Sequence, residues 1–167
     1  VACIAVALIF SVQYVTDRYY VMSSSTSDFG SGLSWWFPER AAEFMKSEKI
    51  PGQLFHEYSV GGFVAFRFAP EYPDYIDGRG DPFGPKMFLE QGSLLHQPAD
   101  SAAWQQVADQ RGINALMFTL GRFGGLGSVD VAGFCRSQNW RPVYLDDVSM
   151  VLLRNTPQDR PWIDRLE

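Results

Sequence analysis

Residues that bind metals or form disulfide bonds are scarce in this sequence. The two cysteines, Cys3 and Cys135, belong to no C-x-x-C pair, and the two histidines, His56 and His96, lie far apart without companion ligands. This pattern excludes the common structural zinc motifs and thioredoxin-like redox motifs. We therefore predict no metal, no cofactor and no structural disulfide. A chain of 167 residues, 46% of them hydrophobic, forms one core without such crosslinks.

Positive charge is also in short supply. The chain has 14 Lys and Arg residues against 19 Asp and Glu residues, which gives a net charge of −5. A nucleic-acid-binding domain needs a basic face, so we exclude nucleic acid as a partner. The glycine patterns of dinucleotide-binding folds and of phosphate-binding P-loops are missing, and so is the G-x-S-x-G nucleophile elbow of the α/β-hydrolases.

The one long uncharged stretch is N-terminal, where VACIAVALIFSVQYV carries no charge before Asp17. It is shorter than the ~20 apolar residues that cross a bilayer, and it lacks the basic n-region of a signal peptide. It is either the end of a truncated transmembrane helix, with interfacial aromatic residues in DRYYV, or a buried helix of a soluble domain. We favour the first. The predicted parts are the end of a transmembrane or apolar helix (1–22), a polar linker (23–34), an α/β globular domain (35–156) and a polar tail (157–167).

Hydrophobic periodicity and turn residues predict an α/β fold for the globular part. Strand character is found in QLFHEY, YPDYID, INALMFTL and the two halves of RPVYLDDVSMVLLRN, and helical segments separate the first three. Because helical crossovers join parallel strands, the early strands are expected to be parallel. The last two strands are expected to form an antiparallel hairpin around Asp146 and Asp147. We therefore predict a mixed sheet of about five strands.

Three glycine-bearing loops follow predicted strands, at 59–62, 77–84 and 121–127. Ligands of open α/β sheets bind beyond the carboxyl ends of the strands, and free backbone N–H groups there can hold an anion. These loops are therefore expected to form a polar pocket for a phosphate or for sugar hydroxyls. Their candidate ligand-binding residues are Gly61, Gly62, Arg79 and Arg122. The alternative is that the glycines serve tight turns and close helix packing.

The stretch YIDGRGD, from Tyr75 to Asp81, allows three interpretations. In a catalytic site, Asp77 and Asp81 would act as an acid and base pair or would hold a divalent metal. In a binding site, the Arg79 guanidinium would bind a phosphate or a carboxylate. In a structural turn, Asp77 would end its strand with an Asx-type turn and Arg79 would pair with a carboxylate. We favour the structural turn and keep Asp77, Arg79 and Asp81 as ligand-binding candidates.

Several stretches together resemble one family of membrane proteins. They are FPERAAEFM, GQLFHEYSVGGFVAFRFAPEYPDYIDGRGD, INALMF and WRPVYLDDVSMVLLR, and the most specific pieces are Tyr58-x-x-Gly61-Gly62 and Ile76-Asp77-Gly78-Arg79. From about Trp36 to Arg154, the chain resembles the C-terminal extracytoplasmic domain of bacterial polytopic membrane proteins. Those proteins look like glycosyltransferases that use lipid-linked sugars.

The resemblance implies a location and partners rather than a reaction. The chain would be a membrane-anchored domain on the extracytoplasmic side, with the membrane-embedded part of the same polypeptide and a lipid-linked sugar as its partners. The catalytic acid of such glycosyltransferases looks to be in an early loop between membrane helices, so no catalytic residue carries over. Our first hypothesis is a non-catalytic accessory domain that assists substrate recognition or assembly. The alternative is an independent enzyme that processes a sugar or phosphate with Asp77 and Asp81.

Overall fold

The computed structural model of the chain describes residues 2–23, 29–120 and 129–166. The chain forms two compact units, Val1–Trp35 and Trp36–Glu167. The helices of the first unit are α1 (Ala2–Val15) and α2 (Arg18–Met22).

The first unit is dominated by the apolar helix α1. Apolar side chains such as Ile4, Leu8 and Phe10 are all exposed, because α1 carries them around its whole circumference. Near the end of α1 the ring of Tyr14 stacks on the ring of Tyr19 in α2, with 4.3 Å between their centroids. In the part of the chain that the structure describes, none of the helices combines the length and the apolar character needed to cross a bilayer.

The second unit is built from one mixed sheet and helices. Its strands are β1 (Gln53–His56), β2 (Ile113–Thr119), β3 (Trp140–Leu145) and β4 (Ser149–Arg154). Its helices are α3 (Glu39–Ser47), α4 (Gly61–Phe68), α5 (Gly84–Leu95), α6 (Ala102–Arg111), α7 (Val131–Cys135) and α8 (Arg160–Leu166). The sheet order is β1-β2-β4-β3, with β1 and β2 parallel and the other pairs antiparallel. The α/β class, the early parallel pair and the C-terminal hairpin are confirmed.

The sheet has four strands in the described residues, so the prediction of about five strands is wrong. The segment YPDYID, predicted as a strand, pairs with none of them. The Tyr75 N–H donates instead to Nε2 of the His56 side chain at 2.9 Å, and Pro73 has no N–H to offer a ladder. Tyr75 and Ile76 are buried. The segment therefore resembles a strand in sequence because its side chains are buried in the core, although its backbone pairs with no strand of the sheet.

Helices cover both faces of the sheet, as parallel strands require. Alternate residues of β2 and β4 point to opposite faces and divide between two buried clusters. On one face Trp104 of α6 meets Phe55 and Trp140 edge to face, with centroid distances of 4.9 and 6.1 Å. On the other face α3, α4 and α8 contribute side chains of mixed size, including Phe63 and Phe68 of α4. Members of this second cluster include Ala41, Ala42, Met45, Val64 and Ile163.

The segment 157–167, expected to be a polar tail, carries helix α8. Its Ile163 is fully buried in the second cluster. The Asn114 side chain of β2 donates from Nδ2 to Oδ1 of Asp159 at 3.1 Å, just before α8. The Trp162 indole N–H donates to the carbonyl oxygen of Glu48 at 3.2 Å. These contacts make α8 part of the folded unit.

Candidate functional site

The DGRGD loop is held by its own hydrogen bonds. Oδ1 of Asp77 accepts from the Arg79 backbone N–H at 2.9 Å, and Oδ2 accepts from the Arg79 guanidinium Nε at 2.7 Å. The guanidinium also pairs with Asp74 at 3.1 Å. The Asp77 side chain is only 4% exposed, and the hydrogen bonds from Arg79 lower its pKa to about 2. Asp77 is therefore ionised near neutral pH, and both of its oxygens are hydrogen-bonded to Arg79. This is the geometry of the structural turn.

Gly61 allows the start of α4 to lie directly against this loop. A Cβ atom on Gly61 would fall 2.1 Å from the carbonyl oxygen of Ile76 and 2.7 Å from Cα of Asp77. Only glycine fits at this distance. Gly62 is exposed, and a Cβ there would meet nothing within 4 Å in the described part of the chain. The two glycines therefore differ, because Gly61 is required by close packing and Gly62 leaves the surface open.

A shallow cleft lies beside this contact, and we name it the Tyr58–Phe88 cleft. It has a volume of about 330 Å³. Its walls come from the 3-10 turn after β1 (Tyr58–Val60), from the DGRGD loop and from the first turns of α5. The rings of Tyr58 and Phe88 meet edge to face, with 5.3 Å between centroids. The lining residues are Tyr58, Ile76, Gly80, Asp81, Gly84, Pro85 and Phe88.

The cleft contains one carboxylate that the loop does not use. The Asp81 backbone N–H donates to the Arg79 carbonyl oxygen at 2.8 Å. Its exposed side chain has no hydrogen-bond or ion-pair partner among the described residues. By contrast, the Arg79 guanidinium is shared between two aspartates and lies 5.9 Å from the centroid of the Phe83 ring. The cleft therefore offers a free anionic acceptor and no free cation from its own loop.

The structure brings most of the predicted site residues together. Gly61, Asp77 and Arg79 form one packed contact, Asp81 lines the cleft and Gly62 lies exposed on α4. The predicted site residue Arg122 and the whole loop 121–127 lie outside the described residues.

His56 is a structural histidine of the core. It is fully buried, its Nδ1 lies 3.0 Å from the carbonyl oxygen of Glu57, and its Nε2 accepts from the Tyr75 N–H. These partners assign the neutral tautomer with the proton on Nδ1. Burial lowers the pKa of His56 to about 4, so the ring stays uncharged near neutral pH. His56 therefore ties β1 to the segment before the DGRGD loop.

Glu57 is an unusual acid that reasoning from the sequence missed. It follows β1, and its Oε2 accepts from the backbone N–H of Thr119 at 3.0 Å and from the Thr119 hydroxyl at 2.6 Å. Its Oε1 is buried without a hydrogen-bond partner among the described residues. Burial raises the pKa of Glu57 to about 7. An acidic residue directly after a buried parallel strand was the available signal, but its partner is 62 residues away.

A second open cleft, of about 460 Å³, lies between the end of α3 and the segment after α4. Lys46, Lys49 and Glu71 contribute its charged groups. The Tyr72 hydroxyl in its wall already donates to the carbonyl oxygen of Ile50. It contains none of the predicted site residues, so the Tyr58–Phe88 cleft is the better candidate site.

Comparison with family models, with curated proteins and with solved structures found no match for this chain. Within residues 2–23, 29–120 and 129–166, no group of three or more His, Cys, Asp or Glu side chains is arranged to hold a metal ion.

Proposed function

We propose that this chain is a non-catalytic accessory domain of an integral membrane protein, on the extracytoplasmic side of the membrane. The parent protein would be glycosyltransferase-like. The α/β unit would help to recognise a sugar-bearing, lipid-linked substrate or to assemble with the membrane-embedded part of the same polypeptide. The resemblance of the Tyr58–Gly62 and Ile76–Arg79 segments to such domains is the starting point of this proposal.

One structural observation carries the proposal. The two segments with the most specific resemblance contact each other, because Gly61 packs against Ile76 and Asp77. Their junction forms a wall of an open cleft whose most exposed lining side chains include two aromatic rings. A contact that fixes the shape of a surface, without a poised acid or nucleophile in it, supports recognition rather than chemistry.

The alternative, an independent enzyme using Asp77 and Asp81, is less well supported. General acid–base catalysis needs a pKa near the working pH. The pKa of Asp77 lies near 2 because both its oxygens accept hydrogen bonds from Arg79. A metal-dependent version of this enzyme predicts a higher melting temperature with magnesium, manganese, calcium or zinc. We expect no such shift, and a saturable shift that disappears in Asp81→Asn would favour the enzyme.

The membrane part of the proposal is tested on the native gene product. We would read the coding sequence upstream of Val1 and test whether the native protein stays with membranes during carbonate extraction. Several upstream apolar spans and a carbonate-resistant protein are the expected result. A start codon next to Val1, together with a protein that carbonate releases, would overturn the proposal and make the DGRGD loop an active-site candidate in its own right.

A further inference from the structure

We infer that the Tyr58–Phe88 cleft is a subsite for an uncharged sugar ring. This inference rests on the proposed function, because it names the part of a sugar-bearing substrate that the domain would contact. Three properties of the cleft lead to it: its exposed aromatic rings, its size and the sign of its free charge.

The aromatic rings match the apolar face of a sugar. Tyr58 is 39% and Phe88 is 50% exposed, whereas aromatic residues such as Phe55 and Trp104 are fully buried in the core. Their edge-to-face contact leaves both rings on the surface in a fixed relative orientation. A pyranose ring presents several C–H groups on one face, and such groups make favourable contacts with aromatic faces. The rings therefore form a preorganised platform for one sugar face.

The size of the cleft limits its occupant. Its volume of about 330 Å³ lies at the lower end of the ~300–1,000 Å³ range of small-molecule sites. One sugar ring fits such a space, whereas a polyprenyl chain or a folded peptide segment would extend far beyond it. The cleft is also open, which suits a terminal sugar that is still linked to a carrier.

The charge of the cleft favours hydroxyl groups over a phosphate. Arg79 is neutralised by Asp74 and Asp77, so among the lining residues that the structure describes the only free charge is the Asp81 carboxylate. A carboxylate accepts hydrogen bonds from sugar hydroxyls, and it repels a phosphate at short range. Covering it with a lipid chain or an apolar protein surface would leave a desolvated charge without a partner. A neutral sugar can contact the aromatic rings with its C–H groups and donate hydroxyl hydrogen bonds to the carboxylate.

The test is saturation-transfer-difference NMR on the full chain with two sets of probes. The first set is uncharged methyl glycosides of glucose, galactose, mannose and N-acetylglucosamine, and the second is the corresponding glycosyl phosphates with inorganic phosphate as a further probe. The variants are Phe88→Ala and Asp81→Asn. The matched control is Leu89→Ala, because Leu89 is 68% exposed on the same helix and does not line the cleft.

We expect at least one neutral glycoside to bind with a millimolar dissociation constant. Phe88→Ala should weaken it about tenfold or more, and Asp81→Asn about five- to tenfold, because a neutral amide oxygen replaces the charged acceptor. Leu89→Ala should bind as the native chain does. If Phe88→Ala fails to fold by circular dichroism, Asp81→Asn and Tyr58→Ala decide the question.

Three outcomes would overturn the inference. One is the absence of glycoside binding by the native chain at tens of millimolar probe. The second is tighter binding of phosphate or glycosyl phosphates than of the neutral glycosides. The third is equal binding by the Phe88→Ala and Leu89→Ala variants. None of these bears on carbonate-resistant membrane association, so a failed subsite is distinguishable from a failed accessory-domain proposal.

Discussion

Replacing Glu57 with glutamine is expected to reveal a pH dependence of stability that the native chain conceals. Folding shifts the pKa values of two buried groups in opposite directions. Burial raises the pKa of Glu57 from 4.5 to about 7 and lowers the pKa of His56 from 6.5 to about 4. Each difference between the folded and unfolded pKa values corresponds to about 3 kcal/mol of stability, because one pKa unit is worth about 1.4 kcal/mol.

The signs of the two contributions are opposite. The folded state binds a proton at Glu57 more tightly, so this stabilising contribution is complete below pH 4.5 and is lost as the pH rises through 7. The folded state binds a proton at His56 more weakly, so that contribution is complete above pH 6.5 and is lost as the pH falls through 4. Between pH 5 and 7 the two nearly cancel, and the native chain should show a free energy of unfolding that is almost flat.

Glu57→Gln removes one side of this balance. The amide oxygen can still accept from Thr119, but the side chain no longer titrates. The variant should therefore lose about 2 kcal/mol of stability between pH 7 and pH 5, which is the part of the His56 contribution that falls in this interval. The slope is diagnostic rather than the absolute value, because the buried amide NH2 itself costs about 1–3 kcal/mol.

The assay is urea unfolding of the full chain across this pH range, followed by tryptophan fluorescence. Other titrating groups are common to both proteins and cancel in the difference between the two curves. His56→Gln should show the opposite slope, with stability rising as the pH falls. If Glu57→Gln followed the same curve as the native chain, burial would not be what raises the pKa of Glu57.

Four further variants test the packing of the site and of the last helix. Gly61→Ala should destabilise the chain by about 1–3 kcal/mol in urea unfolding, since its Cβ would overlap the backbone at Asp77. Gly62→Ala, with open space around it, should be neutral or stabilising by up to ~1 kcal/mol, and equal effects of the two would contradict this account. Arg79→Ala should lower the melting temperature and raise the pKa of Asp77, because the nearly buried carboxylate loses its main hydrogen-bond donor. The pKa is measured by NMR titration, and an unchanged value would refute the structural role of the turn. Ile163→Ala should cost about 2–5 kcal/mol, as for a core residue, whereas a truly polar tail would show no change.

Local patterns in the sequence were sufficient for the elements whose signals lie within them. Helix α6 has its N-cap at Ser101, whose hydroxyl accepts from the Trp104 N–H, and ends at Gly112 with φ of 64°. Both features are readable from residue type and spacing. The DGRGD turn was also predictable, because Asp77 and Arg79 are two residues apart and their hydrogen bonds need nothing else from the fold.

The sequence by itself thus determined the α/β class, most of the strands and the chemistry of the DGRGD turn, since each depends on neighbours along the chain. The tertiary structure decided what depends on distant segments. It placed Gly61 against Ile76, paired Glu57 with Thr119, and turned the strand-like Tyr75 segment into an irregular one bonded to His56. Long-range packing sets these contacts, and hydrophobic periodicity does not record which buried polar group finds which partner.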